Sequence, residues 1–325
     1  MIHVVLGLML LGTAVISLHT GSTQVAVLAG LVEWLRGLET VDAIVVGDIR
    51  LPRTLLALTV GAALGLSGAA LQGLLRNPLA DPGLTGASQG AALGAAAVFY
   101  LGLFPVAGGA APAMAGLLGA GLAMLLMLFL AGSARQSMVI MAGLAISTLT
   151  GALLAAVLNF APNPYAMQEL VFWLLGSVSE RGLEHLLLLL PALLVGGGLI
   201  LSQRRLLLGL SLGEQVADSL GLSSRTGSRL VVLGAAILVG TAVSVAGAIG
   251  FVGLIVPHLV RPWVGNRPDR VLLPSALAGA TLVCLADILI RLLPPGPELK
   301  LGVLTSLLGA PLFIWLVWKE RRRWL

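Results

Sequence analysis

Charge is scarce in this chain. Asp, Glu, Lys and Arg make up only 10% of its 325 residues, against roughly 25% in soluble domains, and so large a deficit excludes a water-facing globule. A single cysteine, Cys284, excludes a disulfide framework. The histidines, His3, His19, His185 and His258, are scattered, so no metal site is expected. No G-x-x-x-x-G-K-S/T stretch occurs, which leaves the chain without a phosphate-cradling loop of its own. H-E-x-x-H, C-x-x-C and G-x-S-x-G are missing too, and with them the usual signs of a hydrolase. The net charge of +5 is no nucleic-acid footprint in so apolar a chain; it reports orientation across a bilayer.

What the chain has instead is apolar length. Hydrophobic residues make up 58% of it, and its mean hydropathy is +1.03. Backbone groups find no partners in hydrocarbon, so spans must be helices or a closed barrel. Long apolar runs without strict alternation exclude the barrel, leaving an all-α polytopic membrane protein. A window of about 20 residues places spans near 2–20, 53–75, 84–104, 110–131, 137–159, 185–202, 229–249, 251–264, 271–293 and 302–318. The first lacks a basic leader and a cleavage site and reads as an uncleaved spanning helix. The eighth is short, a half-span or a re-entrant piece. Ten crossings put both termini on one side. Placing the tail WKERRRW inside leaves only Arg36, Arg50, Arg53, Arg181, Arg291 and Lys300 of the 19 basic residues outside, so both termini are expected in the cytoplasm.

Glycine punctuates two of the apolar segments. The stretch from Gly61 to Gly94 runs through a polar hinge, LLRNPLADPG, and is echoed from Gly240 by GTAVSVAGAIGFVGLIVP. Overlaid, Gly61 meets Gly240, Gly68 meets Gly247 and Pro78 meets Pro257. This rhythm suits an internally duplicated transporter whose broken helices meet at the pathway. The half-repeats fall near 50–160 and 229–318 of one domain, 1–325. Gly61/Gly65 and Gly90/Gly94 supply the spacing for close helix contact. Between 160 and 184, LVFWLLG is too short to span and suits an interfacial or re-entrant helix, with Pro162 and Pro164 turning the chain toward it. Within 203–228, LGEQVADSLGL reads as an amphipathic helix. Leu212, Val216 and Leu220 share one face, Glu214 and Asp218 another, and Gly221 caps it. It suits docking of a soluble partner; a helix lying in the headgroups is the alternative, disfavoured by its acidic face beside an anionic leaflet. Asp287 and Arg291 are spaced to pair along one helix.

Several blocks, in order, resemble one family: IRLPRTLLALTVGAALGLSGAALQGLLRNPLADPGLTGASQGAALGA, LGEQVADSLG, GAIGFVGLIVPHLVR, DRVLLPSALAGA and LADILIRLLPPGPELKLGVLTSLLGAPLFIWLV. Over about residues 49 to 318 the chain is similar to the permeases of FecCD-type ABC importers, which take up cobalamin, haem and ferric siderophores. The resemblance implies a homodimeric ten-helix permease with an inverted internal repeat in the bacterial inner membrane, its pathway on the dimer axis. Two copies of a separate ATPase would dock beneath it, and a periplasmic binding protein would deliver the metal chelate. The chain itself would be no enzyme and hold no cofactor, ATP and Mg belonging to the ATPase. By the same resemblance Arg50, Arg53 and Arg291 meet the binding protein, and Leu212, Gly213, Glu214, Ala217, Leu220 and Gly221 meet the ATPase. Asn77 and Leu79, with Gln136 and Ser137, form cytoplasmic constrictions, and Ser147, Thr148, Asn159 and Phe172 line the cavity. The chain's ending and its LGEQVADSLG loop look closest to cobalamin permeases, while NPLADPG is common in haem permeases too. The rival reading, an ion-coupled secondary transporter, needs carboxylates within spans, and Asp287 is the only obvious one.

Overall fold

In a computed structural model, residues 2–101, 110–132, 136–160, 164–293 and 299–321 are described, and all regular structure among them is helical. α1 (Ile2–His19) leads to α2 (Val27–Leu35), to a single turn α3 (Val41–Ala43), and to a π-helical stretch, Ile44–Arg50, that enters α4 (Leu51–Leu74) without a break. Then come α5 (Ala87–Leu101), α6 (Ala110–Ala131), α7 (Gln136–Asn159), α8 (Pro164–Leu174) and α9 (Leu186–Ser202). Two short helices, α10 (Arg204–Ser211) and α11 (Glu214–Ser219), precede α12 (Ser224–Ala246), α13 (Val252–Val260), α14 (Pro268–Leu292) and α15 (Leu301–Arg321).

Each apolar window of the sequence holds a helix. Seven helical runs among the described residues are long and apolar enough to cross a bilayer: α1, the continuous 41–74 run, α6, α7, α9, α12 and α14. α5 is described over 15 residues and α15 over 21, while the apolar helical run Val252–Val264 is shorter than a full span. The brevity expected of the eighth window is therefore present.

Small residues decide the packing. A β-carbon on Gly61 would lie 2.2 Å from Gly279 O, and one on Gly90 would lie 2.6 Å from Gly119 O. The backbones of α4 and α14, and of α5 and α6, therefore touch directly, as helices without a strong apolar driving force between them require. α4 and α12 are buried along most of their length and form the centre. α1 lies at the rim against α14 and α4, with Val4, Leu8, Leu11 and Val15 exposed on its outer face.

Candidate functional site

The end of the bundle that carries the C-termini of α1 and α14 and the N-terminus of α4 gathers two arginines about one carboxylate, with a third arginine on the nearby carbonyls. Asp287, 1% exposed, receives Arg53 Nε at 2.9 Å and Arg291 Nη2 at 3.0 Å. Arg291 Nη1 also donates to Ser17 O at 2.8 Å and Thr20 O at 2.9 Å, and Arg50 Nη1 to Leu18 O at 2.9 Å. These carbonyls close α1, whose C-terminal end favours cations. All three arginines expected to meet a binding protein thus lie together, and each also holds neighbouring helices. Arg53 is the most open of them, with 15% of its side chain exposed against 9% for Arg291 and 4% for Arg50.

Deeper in the bundle α12 breaks. It stops at Gly247, whose φ of 71° and ψ of −169° lie where essentially only glycine goes. The chain passes through 247–251 without helix and restarts at Val252, with Phe251 at φ 66°. Unpaired backbone would be costly within a bilayer, and other segments satisfy it. Ser177 N donates to Ala246 O at 2.8 Å, Ala248 N to Leu174 O at 3.3 Å, and Gly302 N to Gly176 O at 3.4 Å. The end of α8, the break and the start of α15 are thereby knitted through main chain. The fit leaves no room: a β-carbon on Gly247 would sit 2.2 Å from Trp173 O. Phe172, beside this joint, is 48% exposed, with Lys300 Nζ 5.9 Å above its ring. Of the other residues expected to line a cavity, Thr148 and Asn159 lie on the exposed face of α7 with Met141 and Leu144. Ser147 is half-buried and donates to Gly83 O at 3.2 Å, tying α7 to the polar hinge.

The hinge lies at the opposite end of the bundle. Asn77 Oδ1 accepts from Leu79 N at 2.9 Å and Asp81 Oδ1 from Gly83 N at 2.7 Å, two side-chain turns that bend the chain without regular pairing. Asn77 is exposed and Leu79 half-buried. Burial pushes the Asp81 carboxyl up from its ordinary value, and the bond from Gly83 draws it partly back. Gln136 and Ser137 open α7, but their side chains lie outside the described residues.

Sequence reasoning missed Gln72. Only 2% exposed in the last turns of α4, it donates to Leu254 O at 3.1 Å and accepts from Arg261 Nη2 at 2.7 Å, joining α4 to α13. The available signal was a lone amide inside an apolar span, where a polar group needs a partner.

Beside the hinge, α11 projects from a fixed base. Ala217, fully buried, packs on Gly209 of α10, where a β-carbon would come within 3.2 Å of it. Asp218 Oδ1 accepts from Ser224 N at 3.0 Å, anchoring α11 to α12. Gly221 at φ 76° ends the helix, and Leu222 N returns to Ala217 O at 3.0 Å. The helix is shorter than the expected amphipathic one. Gly213 at φ 119° separates it from Leu212, which closes α10, so Leu212 does not share a helical face with Val216 and Leu220. The three are nonetheless exposed, at 66%, 40% and 63%. Glu214 is exposed beside them. The apolar face of this helix is thus its outer one, and Ala217 alone of the expected docking residues faces inward.

Comparison with known proteins gives consistent results. A model of the FecCD transport family matches residues 8–319. The chain is 41% identical over 286 residues to the hemin transport system permease protein HmuU of Yersinia pestis, covering 85% of this chain and 84% of that one. It is 41% identical over 285 residues to the vitamin B12 import system permease protein BtuC of Salmonella paratyphi A, with coverage of 85% and 84%. With YvrB, an ABC transporter permease protein of Bacillus subtilis, identity is 39% over 280 residues, 85% of this chain and 79% of the other. A solved inward-facing structure of a metal-chelate type ABC transporter superposes with a TM-score of 0.83 at 35% identity, covering 98% of both chains.

Proposed function

The chain belongs to the FecCD transport family, and from that premise we propose that it is the membrane-spanning permease of an ATP-binding-cassette importer for a metal chelate. Two copies enclose the pathway, with both termini and α10–α11 in the cytoplasm and the Arg53–Asp287–Arg291 cluster on the outer side. A separate ATPase docks on α11, and a binding protein delivers the chelate at the arginine end. α5, α13 and α15 complete ten passages through the membrane, and the two glycine-punctuated segments are the halves of an inverted repeat. The cargo is of the haem or cobalamin kind, with cobalamin preferred.

The observation that carries this reading is the outward apolar face of α11. Exposed Val216 and Leu220 on a helix held from behind through Ala217, with Leu212 exposed just before it, form a surface built to be covered. Its flanking acid, Glu214, makes an anionic lipid surface a poor cover, and a protein partner a good one. The membrane subunit makes and breaks no bond. Its work is to be stabilised differently in inward- and outward-open states as the ATPase closes and opens. The exposed face of α7, poor in charge from Met141 to Asn159, suits a large and partly apolar cargo that must not be held too tightly.

Val216→Asp and Leu220→Asp test the reading. Both change exposed side chains, so the permease should keep its thermal stability. The ATPase should no longer co-purify, and chelate uptake by the reconstituted complex should fall at least tenfold, on the order expected for losing apolar anchors at an interface. Undiminished uptake by the permease without any ATPase would instead establish an ion-coupled carrier.

A further inference from the structure

A basin of about 690 Å³ lies where α1 begins, between the start of α10 and the start of α14. That volume is within the roughly 300–1,000 Å³ of small-ligand clefts. Its wall carries Arg204, Arg205, Arg267 and Arg270 and a single acid, Asp269. Arg267 is committed to that acid, its Nε at 3.1 Å from Oδ1 and its Nη2 at 2.9 Å from Oδ2. No carboxylate among the described residues pairs with Arg204, Arg205 or Arg270. Four guanidiniums and one carboxylate in a single hollow are a concentrated positive field, and guanidinium is the cation best shaped to grip phosphate oxygens.

The floor and rim differ from those of a soluble anion site. Apolar residues, Leu201 and Leu208 among them, line the same hollow. Trp263 and Leu273, 66% and 51% exposed, stand at its edge. Ile2 and His3, at the start of α1, also line the hollow, and farther along the same helix Val4 and Leu8 are 65% and 64% exposed. A charged head beside a greasy approach, with a tryptophan at the boundary, is the arrangement a phospholipid requires: phosphate on the arginines, acyl chains along the helix.

We propose that this basin binds the headgroup of an anionic phospholipid, phosphatidylglycerol or cardiolipin, from the leaflet on the α10–α11 side. The assignment to the cytoplasmic leaflet rests on the orientation given above; the binding itself does not. A bound lipid bridges α1, α10 and α14, and so fastens the rim helix to the two helices beneath the docking surface. Asp269 moderates the field by occupying one of the four arginines.

The test uses the full-length permease in detergent, titrated with short-chain phosphatidylglycerol, short-chain phosphatidylcholine and inorganic phosphate, and followed by thermal stabilisation. Phosphatidylglycerol should bind at least tenfold more tightly than either of the others. Each arginine near an anionic surface contributes about fivefold, so Arg204→Gln/Arg205→Gln/Arg270→Gln together should weaken it roughly a hundredfold. Asp269→Asn, which frees Arg267, should tighten it, a gain that misfolding cannot imitate. Equal affinity for phosphatidylcholine, phosphate binding as tight as lipid, or a triple variant with unchanged lipid affinity would each overturn the proposal. So would a triple variant that loses the ATPase while keeping its lipid affinity, since the arginines would then serve a protein partner. Because binding is read without transport, failure of the importer reading leaves the result interpretable.

Discussion

Gly247→Ala set beside Gly221→Ala separates backbone strain from steric fit at the joint. Both glycines have positive φ, 71° and 76°. At Gly221 a β-carbon meets nothing within 4 Å, so alanine there costs only the left-handed backbone, about 1–2 kcal/mol. At Gly247 the backbone lies in the glycine-only region, about 1–3 kcal/mol, and the added carbon would stand 2.2 Å from Trp173 O and 2.9 Å from Gly176 Cα. Those are backbone atoms that no rotamer change can move. The end of α8 must retreat by about 1 Å, an overpacking of about 1–3 kcal/mol. That retreat also stretches the bonds from Ser177 N to Ala246 O and from Ala248 N to Leu174 O. The expected loss is about 2–6 kcal/mol for Gly247→Ala against about 1–2 kcal/mol for Gly221→Ala. Equilibrium unfolding of the purified permease in mixed micelles measures both. Equal losses for the two variants would show that α8 does not abut the break, and the joint as described would be wrong.

Two further substitutions probe the buried polar contacts. Asp287→Asn leaves Arg53 and Arg291 facing each other across an uncharged amide, and breaking a buried pair in this way costs about 3–5 kcal/mol; a variant as stable as the parent in the same unfolding assay would refute the role of Asp287 as the centre of the cluster. Gln72→Leu strips Arg261 of its acceptor and the α13 carbonyls of their donor, an expected loss of about 1–3 kcal/mol, of which Gln72→Glu should recover the part due to Arg261 by restoring the acceptor.

Apolar length was readable because it needs no knowledge of neighbours. The windows at 110–131 and 137–159 fall within a residue of α6 and α7. Where side chains depend on tertiary partners, reading failed. The apolar window places the second span only from residue 53, yet 41–50 is helical and continuous with α4. Its acids are satisfied from α2: Asp42 Oδ2 accepts from Ala26 N at 3.2 Å, and Asp48 Oδ1 from Trp34 Nε1 at 2.9 Å. Arg50 is consumed by Leu18 O at the end of α1 and Thr23 O just beyond it, partners that no local pattern announces. Asp287 was legible as a partner of Arg291 because the spacing is helical. Its second partner, Arg53, lies on a different helix and could not be paired from spacing.

The joint and α11 lie at opposite ends of one unbroken run of contacts. α11 bears on α10 through Ala217 and Gly209; α10 bears on α4 where Leu207 meets Gly73; α4 grips α13 through Gln72; and α13 begins at the break that α8 and α15 close. Contiguity alone is not coupling. What gives this run mechanical weight is the kind of structure found at its far end. A regular buried helix resists bending because each of its backbone bonds is internal. At the break one bond, from Ala248 N to Leu174 O, runs to another segment instead, and the last carbonyl before it, Ala246 O, accepts from Ser177 N. The chain thus leaves the helical pattern without stranding these polar groups in hydrocarbon. A transporter that must alternate between two packed states needs such places, and glycine, which alone tolerates the backbone angles at Gly247, fixes where this one lies.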